Sequence, residues 1–164
     1  MLHYQTIDTK TLALLTSLMK APEFSQLCLV GGTSLALQIG HRKSVDIDLF
    51  GQFELEDFQF TTVLKQIGNV TQLNNSKNIK SYLIDQIKVD FVNYPYPWLE
   101  PALFVDNIRL AGKQDIVAMK LAAITGRGTK KDFIDIFSLL SFYSLEQMLD
   151  FYMQNISMVQ NLWL

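Results

Sequence analysis

A chain of 164 residues that is 49% hydrophobic is long enough for one well-packed domain, or for a core with a helical appendage. Its formal net charge of −2 gives no global positive field to draw in a polyanion, so any nucleic-acid contact must rest on a local basic surface. One cysteine, Cys28 in an apolar run, excludes an internal disulfide and reads as a small buried hydrophobe.

The N-terminus MLHYQTIDTK has no basic region followed by an apolar core, so no secretion signal is expected. No apolar run reaches the roughly 18 residues of a membrane span, and a cytoplasmic protein is expected. Residues 9–20 predict a helix with Thr9 as its cap. Residues 27–32, LCLVGG, predict a short buried strand, and 33–40 a helix that stops at Gly40. Residues 44–50, SVDIDLF, alternate as a strand, with Val45, Ile47 and Leu49 on one face and Asp46 and Asp48 on the other. Residues 54–68 predict an amphipathic helix closed by Gly68. Residues 78–94 predict a hairpin turning near Asp85 and Gln86, its second strand opposing Ile87, Val89 and Phe91 to Lys88 and Asp90.

Pro95, Pro97 and Pro101 interrupt regular structure and mark the expected boundary. Beyond it come a short strand near 107–111 and helices over 113–125, 130–142 and 144–156. Arg109, Lys113, Lys120, Arg127, Lys130 and Lys131 fall close together, with Asp115 the only acid among them before residue 132. In the helix over 130–142, Asp132 and Asp135 share one face, and Phe133, Ile136, Phe137 and Leu140 are expected to form the opposite, buried stripe.

Two features point to chemistry. Residues i and i+2 of a strand project from the same face about 6.5–7 Å apart, so Asp46 and Asp48 can converge on a hard divalent cation such as Mg²⁺ or Mn²⁺. Asp90 adds a third carboxylate in the same apolar–Asp–apolar setting. Three such groups can hold the paired ions of phosphoryl-transfer sites. A lone D-x-D is usually the wet face of an antiparallel sheet, but aspartate is disfavoured in strands, and three need a reason. The second feature is the turn at Gly31 and Gly32. Its backbone N–H groups can approach an anion at a helix N-terminus, and Thr33 or Ser34 can add a hydroxyl donor or serve only as an N-cap. Neither a Walker loop nor G-x-G-x-x-G is present. Arg42 can neutralise the carboxylates or touch phosphate, and His41 reads as a loop residue. Lys120 in an apolar helix face either snorkels or supplies a fixed ammonium beside a triphosphate.

Together, Gly31-Gly32-Thr33-Ser34, Asp46-Ile47-Asp48 and the later Asp90 resemble the nucleotidyltransferase superfamily related to DNA polymerase β. The longer stretches GGTSLALQIGHRKSVDIDLF and DIVAMKLAAITGRGTKKDFIDIFSLL resemble the AbiEii/AbiGii family, nucleotidyltransferase-like toxins of type IV toxin–antitoxin and phage-defence systems. That resemblance implies an α+β fold, with a nucleotidyltransferase-like mixed sheet flanked by helices over 1–97. A mostly helical portion over 98–164 is expected to follow and to pack against it. Many members carry a larger C-terminal helical region. It further implies that Gly32, Ser34, Asp46 and Asp48 bind nucleotide and metal, that Lys120 and Asp132 (or Asp135) complete the site, and that Asp90 is the superfamily's third carboxylate. The expected activity is transfer of a nucleotidyl group from an NTP to RNA, such as a tRNA 3′ end, or to a protein, with a cognate antitoxin as partner. The competing readings are a catalytically silent module that binds an antitoxin or other protein, and a phosphotransferase that moves the γ-phosphate.

Overall fold

A computed structural model describes residues 1–161; residues 162–164, the end of the expected helical portion, lie outside the described residues. The chain forms two compact units. The first comprises Met1–Pro95 and Phe104–Leu110, and the second begins at Tyr96 and takes in the chain from Ala111 onward.

In the first unit, Thr9–Lys20 forms α1. Its cap is Asp8 rather than Thr9: the Asp8 carboxylate accepts the Thr11 N–H at 2.9 Å and the Thr11 hydroxyl at 2.8 Å. The expected strand over 27–32 shrinks to Cys28–Leu29 (β1), because Gly31 and Gly32 already belong to the helix Gly31–Ile39 (α2). Gly31 has φ of 67°, which lets the chain pass from strand to helix within one residue. The next strand, Ile47–Gly51 (β2), buries Ile47 and Leu49 as expected. It starts later than its alternation suggests, so Asp46 precedes it and Val45 is exposed rather than buried. Local bonds pin that segment instead: the Ser44 N–H reaches the Thr6 carbonyl at 2.9 Å, and the Thr33 hydroxyl donates to the Asp46 carbonyl.

The helix Asp57–Ile67 (α3) opens with a reciprocal capping box between Glu56 and Gln59 and buries Phe60 and Leu64. A strand over Val70–Asn75 (β3) was not expected. The expected hairpin follows as Ile79–Ile84 (β4) and Ile87–Asn93 (β5), with Asp85 and Gln86 at φ of 48° and 68°, the left-handed pair that a two-residue turn needs. Leu103–Val105 (β6) and Ile108–Leu110 (β7) repeat the device at Asp106 and Asn107. The seven strands form one sheet in the order β3-β4-β5-β2-β1-β7-β6. It is mixed: β2 is antiparallel to β1 but parallel to β5, and β1 is parallel to β7. Phe60 sits at the centre of the core, with ring centroids 4.8 Å from Phe91 and 5.1 Å from Phe24.

Arg109 on β7 is not part of a free basic surface. Its guanidinium donates to the carbonyls of Leu27 (2.8 Å), Phe24 (3.0 Å) and Met19 (3.1 Å), tying the segment between α1 and β1 to the sheet. Arg109→Met keeps the stem but leaves three carbonyls without their donor. The variant is expected to lose about 2–3 kcal/mol of stability in chemical denaturation, since charge-assisted bonds each contribute more than neutral ones.

The second unit holds three helices: Lys113–Gly126 (α4), Lys130–Leu139 (α5) and Leu145–Asn161 (α6). Asp115 accepts the N–H groups of Leu99 (2.8 Å) and Glu100 (3.2 Å), which fastens the proline-rich segment to the first turn of α4. Ser144 and Gln147 cap α6 reciprocally at 2.9 and 3.2 Å. The expected buried stripe of α5 is reversed. Phe133, Phe137 and Leu140 are exposed and Ile136 is half-buried, while Asp132 and Asp135 are the buried face together with Leu139. Among the described residues no helix is long and apolar enough to cross a membrane.

Candidate active site

The first unit brings the glycine turn against the carboxylates. Strands β2 and β5 are parallel, with Asp48 directly opposite Asp90. Because Ile47, Leu49, Val89 and Phe91 are all buried, the alternating carboxylates share the other face. Asp46 lies two residues before Asp48 and is half-buried like it. The Val30 N–H donates to the Asp48 carbonyl at 2.9 Å, joining the turn to the strand. A Cβ at residue 31 would stand 2.6 Å from Asp48 Oδ2, and a Cβ at residue 32 would collide with the Arg42 guanidinium. Gly31, Gly32, Arg42, Asp48 and Asp90 therefore form one constellation around the N-terminus of α2. The first N–H groups of that helix have no partner within it.

The two hydroxyls are placed differently. Thr33 and Ser34 are buried. The Thr33 hydroxyl donates to the Asp46 carbonyl and lies 2.8 Å from Ser44 Oγ, while Ser34 Oγ accepts from Gln38 Nε2 at 3.1 Å. Both are engaged inside the unit. His41 lies in the loop after α2.

Asp90 is only half satisfied. Its Oδ2 pairs with Lys88 Nζ at 2.5 Å, whereas Oδ1 is buried without a hydrogen-bond partner. An orphaned hard oxygen beside two further carboxylates suits a divalent cation of the Mg²⁺ type. Among the described residues no three acidic, histidine or cysteine side chains already converge as a complete ligand set. Lys88 is the functional candidate that sequence reasoning passed over as polar facing. Its signal was the i, i+2 spacing to Asp90 on the carboxylate face. Burial alone would lower its pKa, but the bond to Asp90 and the charges of Asp90, Asp48 and Asp46 outweigh this and hold it above the ordinary lysine value.

In the second unit, Lys120 is buried on α4 between Asp132 (2.9 Å) and Asp135 (2.7 Å) of α5. Asp132 Oδ2 also accepts the Thr129 hydroxyl (2.7 Å) and N–H (3.1 Å), so the same carboxylate caps α5. Burial pushes the Asp132 carboxyl up, but the bonds to Thr129 and Lys120 more than compensate and hold it below the usual range. Lys113 stacks on Phe142 at 5.5 Å, and Arg127, Lys130 and Lys131 are exposed. The basic stretch 109–131 is thus not one surface, because Arg109 and Lys120 are spent on internal bonds.

Gly31→Ala places a side chain at positive φ and against Asp48, and is expected to cost about 1–2 kcal/mol in denaturation. Gly32→Ala displaces only the flexible end of Arg42 and should unfold near the wild-type midpoint.

A mixed sheet with a glycine turn facing strand carboxylates is the architecture of a nucleotidyltransferase fold. Residues 13–155 match the family described as "Nucleotidyl transferase AbiEii toxin, Type IV TA system", and the chain belongs to that family. A protein of Aquifex aeolicus (strain VF5), aq_aa25, described as uncharacterized, is 40% identical over 116 residues, covering 68% of this chain and 56% of its own length. This chain thus spans little more than half of that relative. Among solved structures, JHP933 from Helicobacter pylori superposes with a TM-score of 0.59 at 19% identity, covering 88% of this chain and 72% of that one. ANT(2″)-Ia, crystallised with adenylyl-2″-tobramycin, gives 0.68 at 14% identity, covering 92% and 98%. At such identities these two likenesses concern the fold.

Proposed function

We propose that this protein is a metal-dependent nucleotidyltransferase that transfers a nucleotidyl group from an NTP to an acceptor hydroxyl, and that it acts as the toxin of a type IV toxin–antitoxin or phage-defence system in the cytoplasm. The observation that carries this reading is the Asp48–Asp90 pair on adjacent strands, with Asp48 against the Gly31 turn. Asp46, Asp48 and Asp90 would hold Mg²⁺ or Mn²⁺, which supplies charge neutralisation for the triphosphate and the attacking and leaving oxygens. The N–H groups at Gly31 and Gly32 bind phosphate at the positive end of α2, and Arg42 adds a cation over that turn. Thr33 acts indirectly, by fixing the turn to the backbone of Asp46. Lys120 and Asp132 carry the catalytic roles that the family resemblance implies.

The acceptor in this reading is RNA, such as a tRNA 3′ end, or a protein side chain, and a cognate antitoxin is the physiological partner. ANT(2″)-Ia, which shares the fold, was crystallised with adenylyl-2″-tobramycin, which supports nucleotidyl transfer as the chemistry of this reading. The test is incubation with each α- or γ-labelled NTP, Mg²⁺ and total RNA. Incorporation of α-label into RNA or protein is the expected result. Transfer of γ-label alone would make the protein a phosphotransferase, and no labelled product under any NTP would favour the silent module.

A further inference from the structure

Lys88 and Asp90 lie two residues apart on β5, on the face opposite the buried Val89 and Phe91. In the parallel pairing, Ile47 is opposite Val89 and Asp48 opposite Asp90, and Asp46, just before β2, is close enough for its charge to act on Lys88. A half-exposed ammonium thus stands among three half-buried carboxylates and closes on one of them at 2.5 Å, while the other oxygen of that same carboxylate is buried without a partner. Three like charges on neighbouring strands repel one another, and a single lysine offsets one of them. A lysine whose only task was to cover a solvent face would gain more by extending into water, because exposed ion pairs contribute little.

We propose that Lys88 is a positioning residue that serves as the resident counter-ion of the carboxylate cluster, holding Asp90 in place before metal arrives and competing with a divalent cation for Asp90 Oδ2. This rests on the nucleotidyltransferase reading for the metal site itself. Its consequence is that the cluster has low affinity for a bare cation and fills when an NTP brings additional negative charge. Lys88 thereby couples metal occupancy to nucleotide arrival. The same compensation lowers the cost of keeping three acids together while the site waits.

The test uses the full chain freed of metal by a chelator, with Mn²⁺ titrated calorimetrically and by electron paramagnetic resonance, with and without a non-hydrolysable NTP. Lys88→Met is expected to bind Mn²⁺ about tenfold more tightly than wild type in the absence of nucleotide, the order expected for removing one nearby, partly screened unit charge. The enhancement of Mn²⁺ affinity by nucleotide should shrink correspondingly. Lys88→Gln, which keeps a polar group, provides the same comparison should the Met variant fold poorly. Adding Asp90→Asn to Lys88→Met should abolish the gain. Mn²⁺ affinity that is unchanged or weaker in both Lys88 variants overturns the role of Lys88 while leaving the metal site standing. Wild-type Mn²⁺ binding that is absent even with the nucleotide present, or that survives Asp48→Asn, overturns the metal site of the proposed function and the counter-ion role with it.

Discussion

Asp48→Asn is expected to reduce nucleotidyl transfer by more than about a hundredfold, because even groups that only orient metal ligands change activity or affinity by about 10- to 100-fold. The substitution keeps the size and shape of the side chain. It removes one of three neighbouring negative charges, so the unfolding midpoint without metal should stay level or rise. The combination of lost transfer and retained stability is the diagnostic, read from labelled-NTP assays beside denaturant melts on one preparation. Full activity in the folded variant would rule out Asp48 as a metal ligand. Asp48 is also the carboxylate that Gly31 approaches, so Asp48→Asn and Gly31→Ala separate chemistry from geometry. The first should spare stability, and the second should not.

Lys120→Met is expected to destabilise the helical unit by about 3–5 kcal/mol, the range for stripping one partner from a buried ion pair. Lys120 is the shared cation of Asp132 and Asp135, which are 1% and 0% exposed, and without it two carboxylates are left in a poorly solvated place. A residue with a purely catalytic role would lose activity with an unchanged melt, so denaturation distinguishes the two contributions. The pH dependence has a defined sign. Asp132 has a folded-state pKa below its unfolded value, so its contribution is complete above about pH 4, near the unfolded carboxylate pKa. It fades as pH falls through the lower folded value. Lys120→Met lacks the part of that contribution that Lys120 supplies but keeps the bonds to Thr129, so the gap to wild type should narrow in strong acid.

The parts legible in the sequence were those with a local cause. The hairpin at Asp85 and Gln86 follows from alternation on both sides of a turn, and the end of α2 follows from Gly40 in a left-handed conformation. Asp46, Asp48 and Asp90 stood out because carboxylates are costly in strands. β3 was not legible because Val70–Asn75 carries little apolar alternation and lies at the edge of the sheet, largely exposed. The inverted face of α5 had a non-local cause. Asp132 and Asp135 turn inward because Lys120, on another helix, waits there, and helical periodicity treats acids as solvent-facing by default. The engagement of Arg109, which the sequence only grouped with other basic residues, was hidden for the same reason, since its three acceptors lie 82 to 90 residues earlier in the chain.

The broken register of β3 has a consequence for the molecule in a crowded solution. A seven-stranded sheet must end somewhere, and an outermost strand exposes unpaired backbone groups that can recruit another chain. Here that margin is Val-Thr-Gln-Leu-Asn-Asn, with its register broken between Gln72 and Asn74. That irregularity twists the edge and spoils the straight run of donors and acceptors that an added strand requires. The segment that was hardest to recognise as a strand is thus a poor seed for aggregation.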